Sequence, residues 1–179
     1  MSVSIPNKNR IRFAHMGMGP MGAGVCKLAC EKDEFEIIGA LEKLDLGKDV
    51  GDLLNLGKKL NVFLTDDLSD VLAKKPDVLI HTTVSSVIKA KDQLMPFIGA
   101  GVKIISTCEA LSYPWNTQPQ ISKELDEMAK ANNVTILATG VKPGFCMDTF
   151  PIVMTGVCRS VEHVRVVRIQ DARSRRPPF

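Results

Sequence analysis

Gly17-Met18-Gly19-Pro20-Met21-Gly22 sets three glycines at the G-x-G-x-x-G spacing. That spacing lets backbone N–H groups surround a pyrophosphate, provided that a strand leads in and a helix leads out. Gly17 would turn the chain sharply out of the strand. Gly19, with no Cβ, would let the backbone approach phosphate, and Gly22 would let helix and sheet pack closely. Pro20 suits the first helical position, where its missing N–H costs nothing. The free N–H groups of the first turn and the positive end of the helix dipole would hold the phosphates. Glu42 stands 20 residues after Gly22. A carboxylate there accepts hydrogen bonds from the adenosine ribose and repels a 2′-phosphate. The adjacent Lys43 would either attract that phosphate or stand as a solvated loop lysine. The expected cofactor is therefore NAD or NADP, held by Gly17, Met18, Gly19, Pro20, Met21, Gly22 and Glu42, with Lys43 beside them.

In open α/β sheets ligands lie outside the carboxyl ends of the strands, so three further strand ends are candidates. Thr82-Thr83-Val84-Ser85-Ser86 would line the nicotinamide ribose. In Ser106-Thr107-Cys108-Glu109, Glu109 is the one carboxylate immediately past its strand. At a partly dry site its pKa would rise, suiting it to move a proton or hold an ammonium; the plainer reading is a helix-capping or surface glutamate. In Thr139-Gly140-Val141-Lys142-Pro143-Gly144-Phe145 the single cation is Lys142, for a carboxylate, a phosphate or only solvent. Gly140, Lys142 and Pro143 complete the expected cofactor contacts, and Phe145 would cover the nicotinamide.

These residues need elements to position them. Ile11 to Met16 reads as a strand and Pro20 to Glu31 as a helix, whose Met21, Val25, Leu28 and Ala29 would face the sheet. Phe35 to Leu41 is a second strand, followed by a short helix within Lys43 to Lys59, and Asn61 to Leu64 is a third strand. Thr65 or Asp66 would cap a helix ending near Lys75. Asp77 to Thr83, Val102 to Thr107 and Val134 to Thr139 are apolar runs suited to buried parallel strands. They alternate with helices from Val87 to Ile98 and from Gln118 to Asn132. This β-α alternation predicts an α/β doubly wound parallel sheet, a Rossmann fold, with strand order 3-2-1-4-5-6. Asp148 to Cys158 reads as helical, and Glu162 to Ala172 as one long strand with Val164 and Val166 alternating with Arg165. The expected organisation is a dinucleotide-binding domain over residues 1–150 and the start of a substrate or dimerisation domain over 151–179. Val164, Val166 and Ile169 on an orphan strand would pair with another chain, so a homo-oligomer is expected.

The 179 residues, 45% hydrophobic, suffice for one proper core or one domain and a piece of another. No apolar run reaches membrane-spanning length, and the first residues lack the core of a signal peptide. A net charge of +3 is too small to argue for nucleic acid. Arg173, Arg175 and Arg176 read as a solvated tail. Five cysteines with no C-x-x-C read as reduced thiols in a cytosol; no metal is expected. His15, His81 and His163 lie in or beside strands and read as core or edge residues.

The chain resembles the N-terminal half of dihydrodipicolinate-reductase-like dehydrogenases. The likeness runs through Gly39 to Glu42, Gly47 to Gly51, Cys108-Glu109-Ala110-Leu111-Ser112-Tyr113-Pro114, Thr139 to Phe145 and Gln170-Asp171-Ala172. The resemblance, closest to the amine-processing members, implies NAD(P)-dependent oxidative deamination of 2,4-diaminopentanoate to 2-amino-4-oxopentanoate and ammonia. It also implies that Glu109 holds or deprotonates the substrate amine. Two positions depart from the family's pattern: Ala110 stands where a second acid is usual, and Lys142 where Asn is usual. The family also implies a C-terminal domain beginning about where this chain ends. An imine reductase acting on dihydrodipicolinate is the alternative enzyme, but it needs a His-His pair that does not occur here. A nucleotide-binding module without catalysis is the alternative outside enzymes.

Overall fold

The computed structural model describes residues 10–141, 144–169, 171 and 173. They form two units, one up to Gly140 and one from Val141 onward.

The first unit is built on a six-stranded parallel sheet. Its strands are β1 (Ile11–Met16), β2 (Phe35–Leu41), β3 (Leu64–Thr65), β4 (Val78–His81), β5 (Lys103–Ser106) and β6 (Ile136–Ala138). The order is β3-β2-β1-β4-β5-β6, every pairing parallel, as the alternation of elements predicts. The order reverses beside β1, so the crevice at the carboxyl ends opens next to the glycine loop. The helices are α1 (Pro20–Cys30), α2 (Val50–Leu53), α3 (Leu68–Ala73), α4 (Val87–Gly99) and α5 (Pro119–Ala131). Side-chain alternation along the strands divides the core in two. Phe13, Ile37 and Ala40 pack with Cys26 of α1 and with Val50 and Leu54 at α2. Ala14, Leu79 and Ile104 pack with Val71 of α3, Leu94 and Phe97 of α4, and Leu125 of α5. The α1 and α2 layer does not extend over β5 and β6, where Ile105 and Leu137 are exposed.

Three local expectations are corrected. Met21 and Leu28 do not face the sheet: they are 68% and 64% exposed, while Gly22 and Cys26 are buried. The inward stripe consists of small residues because α1 lies close on the strands, and large side chains could not fit there. The third strand is Leu64–Thr65, not Asn61 to Leu64. Val62 accepts from the Val50 amide at 2.9 Å, and Phe63 bridges antiparallel to Asp49, so this run is spent on the preceding loop. The cap of α3 is Asp67, whose carboxylate accepts from Ser69 at 2.8 Å and Asp70 at 3.2 Å. Thr65 belongs to β3, and its hydroxyl accepts from the Asp67 amide.

In the second unit, residues Phe145–Thr149 form one wide helical turn and Phe150–Thr155 form α6, shorter than the helix expected from Asp148 to Cys158. No strand forms over residues 162–169; Gln170 and Ala172 lie outside the described residues. A strand is held by ladder hydrogen bonds, and no neighbouring strand among the described residues of this unit supplies them. No described helix is long and apolar enough to cross a membrane.

Candidate functional site

The glycine loop takes the form its spacing requires. Gly17 follows β1 with φ +98°, in the region that L side chains avoid. Its amide donates to Leu41 of β2 at 3.0 Å, and its carbonyl accepts from the Thr82 hydroxyl at 2.8 Å. A Cβ on Gly22 would lie 2.0 Å from the Gly17 carbonyl oxygen and 2.5 Å from Thr82 Oγ1, so only glycine fits this crossing. Gly19 is the N-cap of α1 with no side-chain cap, and Pro20 follows at the first helical position. The amides of Met21 and Gly22 therefore have no intrahelical acceptors, as the first turn of a helix leaves them. A Cβ on Gly19 would meet nothing within 4 Å. The packing of the fold does not require glycine there.

Glu42 sits just past β2 and reaches this loop. Its carboxylate accepts from the Met18 amide at 2.5 Å and from the Lys43 amide at 2.7 Å. The acid thus lies beside the loop, where the ribose of a dinucleotide held by these amides would come. Lys43 is exposed.

The turn after β4 forms the floor of the loop. The Thr82 hydroxyl is engaged with the carbonyls of Gly17 and Met16, and Thr83 Oγ1 with His81 and Gln93. Both hydroxyls are spent within the fold, so a ribose here would meet their remaining lone pairs and the backbone. Val84 packs against the larger core. The turn after β5 carries Glu109, the first residue of a short 3₁₀ turn, Glu109–Leu111. Glu109 is exposed, not dry, and lines a cleft of about 440 Å³ with Ser86, Val87, Ala110, Tyr113 and Thr117. The two turns are stitched together: Thr107 donates to the His81 carbonyl at 3.0 Å and Ala110 to the Ser85 carbonyl at 3.2 Å. Gly140 ends the first unit, and Thr139 before it donates to Ser106 at 2.9 Å. Lys142 and Pro143 lie outside the described residues.

His15 and His81 are fully buried, as core histidines should be. Burial, and then the nearby His81, hold His15 down at about 4 despite the opposing pull of Glu42, so it is neutral at pH 7. Neither of its ring nitrogens has a hydrogen-bond partner among the described residues. Burial also lowers His81, against the contact with Gln93, which raises it. Cys26 and Cys30 share a helix face. The Cys30 contact and burial push the Cys26 thiol up, and the same contact draws Cys30 down. Cys108 is buried and held up by that burial. No cluster of three metal-ligating side chains occurs among the described residues. Gln93, in the second turn of α4, escapes a reading of the sequence, because nothing local distinguishes it from other polar residues of that helix.

The family described as "Dihydrodipicolinate reductase, N-terminus" matches residues 11–136. A 2,4-diaminopentanoate dehydrogenase of Acetoanaerobium sticklandii is 32% identical over 166 residues, covering 90% of this chain and 47% of the relative. An amine dehydrogenase of Streptomyces virginiae is 25% identical over 129 residues, covering 70% of this chain and 36% of the relative. The structure of an amine dehydrogenase from Mycobacterium smegmatis superimposes with a TM-score of 0.76 at 33% identity, covering 83% of this chain and 45% of that one. The chain thus spans under half the length of each of these relatives.

Proposed function

This chain belongs to the dihydrodipicolinate reductase N-terminal family, and we propose that it is the dinucleotide-binding part of an NAD(P)-dependent amine dehydrogenase acting on 2,4-diaminopentanoate. The observation that carries this reading is the placement of an exposed carboxylate, Glu109, in a cleft at the same sheet edge as a glycine loop with ligand space at Gly19.

When bound, the nicotinamide ring accepts a hydride from the carbon that bears the amine. The residues present fit such a cofactor: first-turn amides of α1 for the pyrophosphate, and Glu42 for the adenosine ribose. Glu109 would accept a proton from the substrate ammonium, because hydride leaves readily only when the nitrogen lone pair can form the C=N bond. The resulting iminium takes up water, and ammonia leaves to give 2-amino-4-oxopentanoate. Tyr113 and Thr117 line the cleft beside the carboxylate and offer hydroxyls to the rest of the substrate. Two relatives named for amine or diamine oxidation support the amine as substrate class. Glu42 favours NAD over NADP by charge.

The test is to incubate the whole protein that carries this chain with 2,4-diaminopentanoate and NAD⁺ or NADP⁺, reading reduced nicotinamide and ammonia together. Equal amounts of both products are expected. Tight cofactor binding with no turnover of any amine would overturn the substrate assignment.

A further inference from the structure

His81 and Ser106 are two fully buried polar residues that end neighbouring strands, β4 and β5. Their hydrogen bonds form one chain. The Cys108 amide donates to Ser106 Oγ at 3.1 Å, and Ser106 Oγ lies 2.8 Å from His81 Nδ1. On the other side of the ring, Nε2 lies 2.7 Å from Gln93 Oε1 and 2.7 Å from Thr83 Oγ1. Thr83 Oγ1 donates to Gln93 Oε1 at 2.5 Å.

The proton inventory orders this chain. Gln93 Oε1 is an acceptor only, so Nε2 carries the ring proton and Nδ1 must accept. Ser106 then donates its hydroxyl proton to Nδ1, and its oxygen is left to accept the Cys108 amide. One end of the chain lies under the glycine loop: a Cβ on Gly17 would come within 2.8 Å of the Thr83 methyl. The other end is the amide immediately before Glu109. Apolar side chains would fill the same space without desolvating any polar group, whereas a satisfied hydrogen-bond network fixes direction and register.

We propose that His81 is a positioning residue that couples the turn flooring the glycine loop to the turn carrying Glu109, so that filling the phosphate site sets the carboxylate. This rests on the reading that the glycine loop holds a dinucleotide and that Glu109 works on the amine.

The test uses ADP, which occupies the pyrophosphate and adenosine positions and lacks the nicotinamide, so it cannot touch Glu109 directly. Amide resonances of the ¹⁵N-labelled chain are followed during the titration. In the wild type, the amides of the glycine loop, of Thr82 and Thr83, and of Cys108 and Glu109 should move. Ser106→Ala removes the link on the β5 side and should abolish the Cys108 and Glu109 shifts, leaving those of the loop and the ADP affinity intact. His81→Leu removes the ring that joins the two turns and should do the same, even if Ser106→Ala does not fold. A merely structural network would lower stability in both variants and leave the Cys108 shift in place, which would overturn the coupling. So would loop shifts in the wild type without any shift at Cys108. A wild type in which ADP moves no amide at all would overturn the dinucleotide reading and the coupling with it.

Discussion

Alanine placed in turn at Gly19, Gly22 and Gly24 separates glycine kept for the fold from glycine kept for a ligand. The three lie within six residues, yet the structure gives them different surroundings. At Gly22 the new Cβ would sit 2.0 Å from a backbone oxygen and 2.5 Å from Thr82 Oγ1, so α1 or the loop must retreat by more than about 1 Å to reach ordinary contact. Overpacking of this kind costs about 1–3 kcal/mol, and losing the Thr82 to Gly17 hydrogen bond adds about 1 kcal/mol. At Gly24 nothing lies within 4 Å, and alanine in a helix interior should stabilise by about 1 kcal/mol. At Gly19 the backbone has φ −62° and ψ 174°, which alanine adopts freely, and nothing lies within 4 Å. The poorer N-cap and the smaller unfolded-state entropy roughly cancel, so stability should stay within about 1 kcal/mol of wild type. Cofactor affinity should respond in a different order. If the pyrophosphate lies on this loop as proposed, a Cβ at Gly19 would crowd it, and charge-assisted hydrogen bonds worth about 1.5–3 kcal/mol would be weakened, a loss of about 10- to 150-fold. Denaturant unfolding gives the stabilities, and an NADH fluorescence titration gives the affinities. Gly19→Ala binding NADH as tightly as the wild type would refute the placement of the pyrophosphate. Gly19→Ala as destabilised as Gly22→Ala would show that the space is structural after all.

Two further outcomes follow from the buried and exposed charges. His15 has its pKa lowered to about 4 in the fold, so between about pH 7.5 and 4.5 the unfolded chain takes up a proton that the native state refuses, a loss of about 2.5 kcal/mol. Its contribution is thus present above the ordinary imidazole value and lost as the pH falls towards the folded one. His15→Leu should remove that part of the acid sensitivity without lowering stability at neutral pH, since no ring nitrogen gives up a partner; urea unfolding at both pH values reads it. At Glu42 a carboxylate about 4 Å from a 2′-phosphate would repel it by about 4 kcal/mol at an effective dielectric near 20. Glu42→Gln keeps an oxygen for the Met18 amide and should move the NADH to NADPH affinity ratio towards NADPH by at least about tenfold, measured by titrating both. An unchanged ratio would place the adenosine ribose elsewhere.

The strands and their order were legible because each apolar run was bounded by glycine, proline or a charge, and because parallel strands need crossovers of one hand. The glycine loop and Glu42 were legible for a similar reason: spacing along the chain translates directly into position at a strand end. What failed was set by contacts between elements. Hydrophobicity pointed Met21 and Leu28 at the sheet, but close approach of α1 selects size before hydrophobicity, and Gly22 and Cys26 took that face. Asn61 to Phe63 had strand composition, yet the loop around Asp49 used its hydrogen bonds first. The alternation from Glu162 onward had strand character, with no ladder partner among the described residues to realise it. Gln93 is visible only once α4 is laid against β4, when its amide oxygen meets His81 and Thr83.

The proposed role of Glu109, on the turn after β5, is to act on an amine beside a dinucleotide held by the glycine loop. It is tested most directly by Glu109→Gln in the protein that carries this chain, with amine-dependent nicotinamide reduction and NADH affinity measured on the same preparation. Turnover should fall by about 100-fold or more, as loss of a general base does, with the NADH dissociation constant within about twofold of wild type. Turnover that survives the substitution, or turnover and NADH affinity that fall together, would contradict the assignment of Glu109.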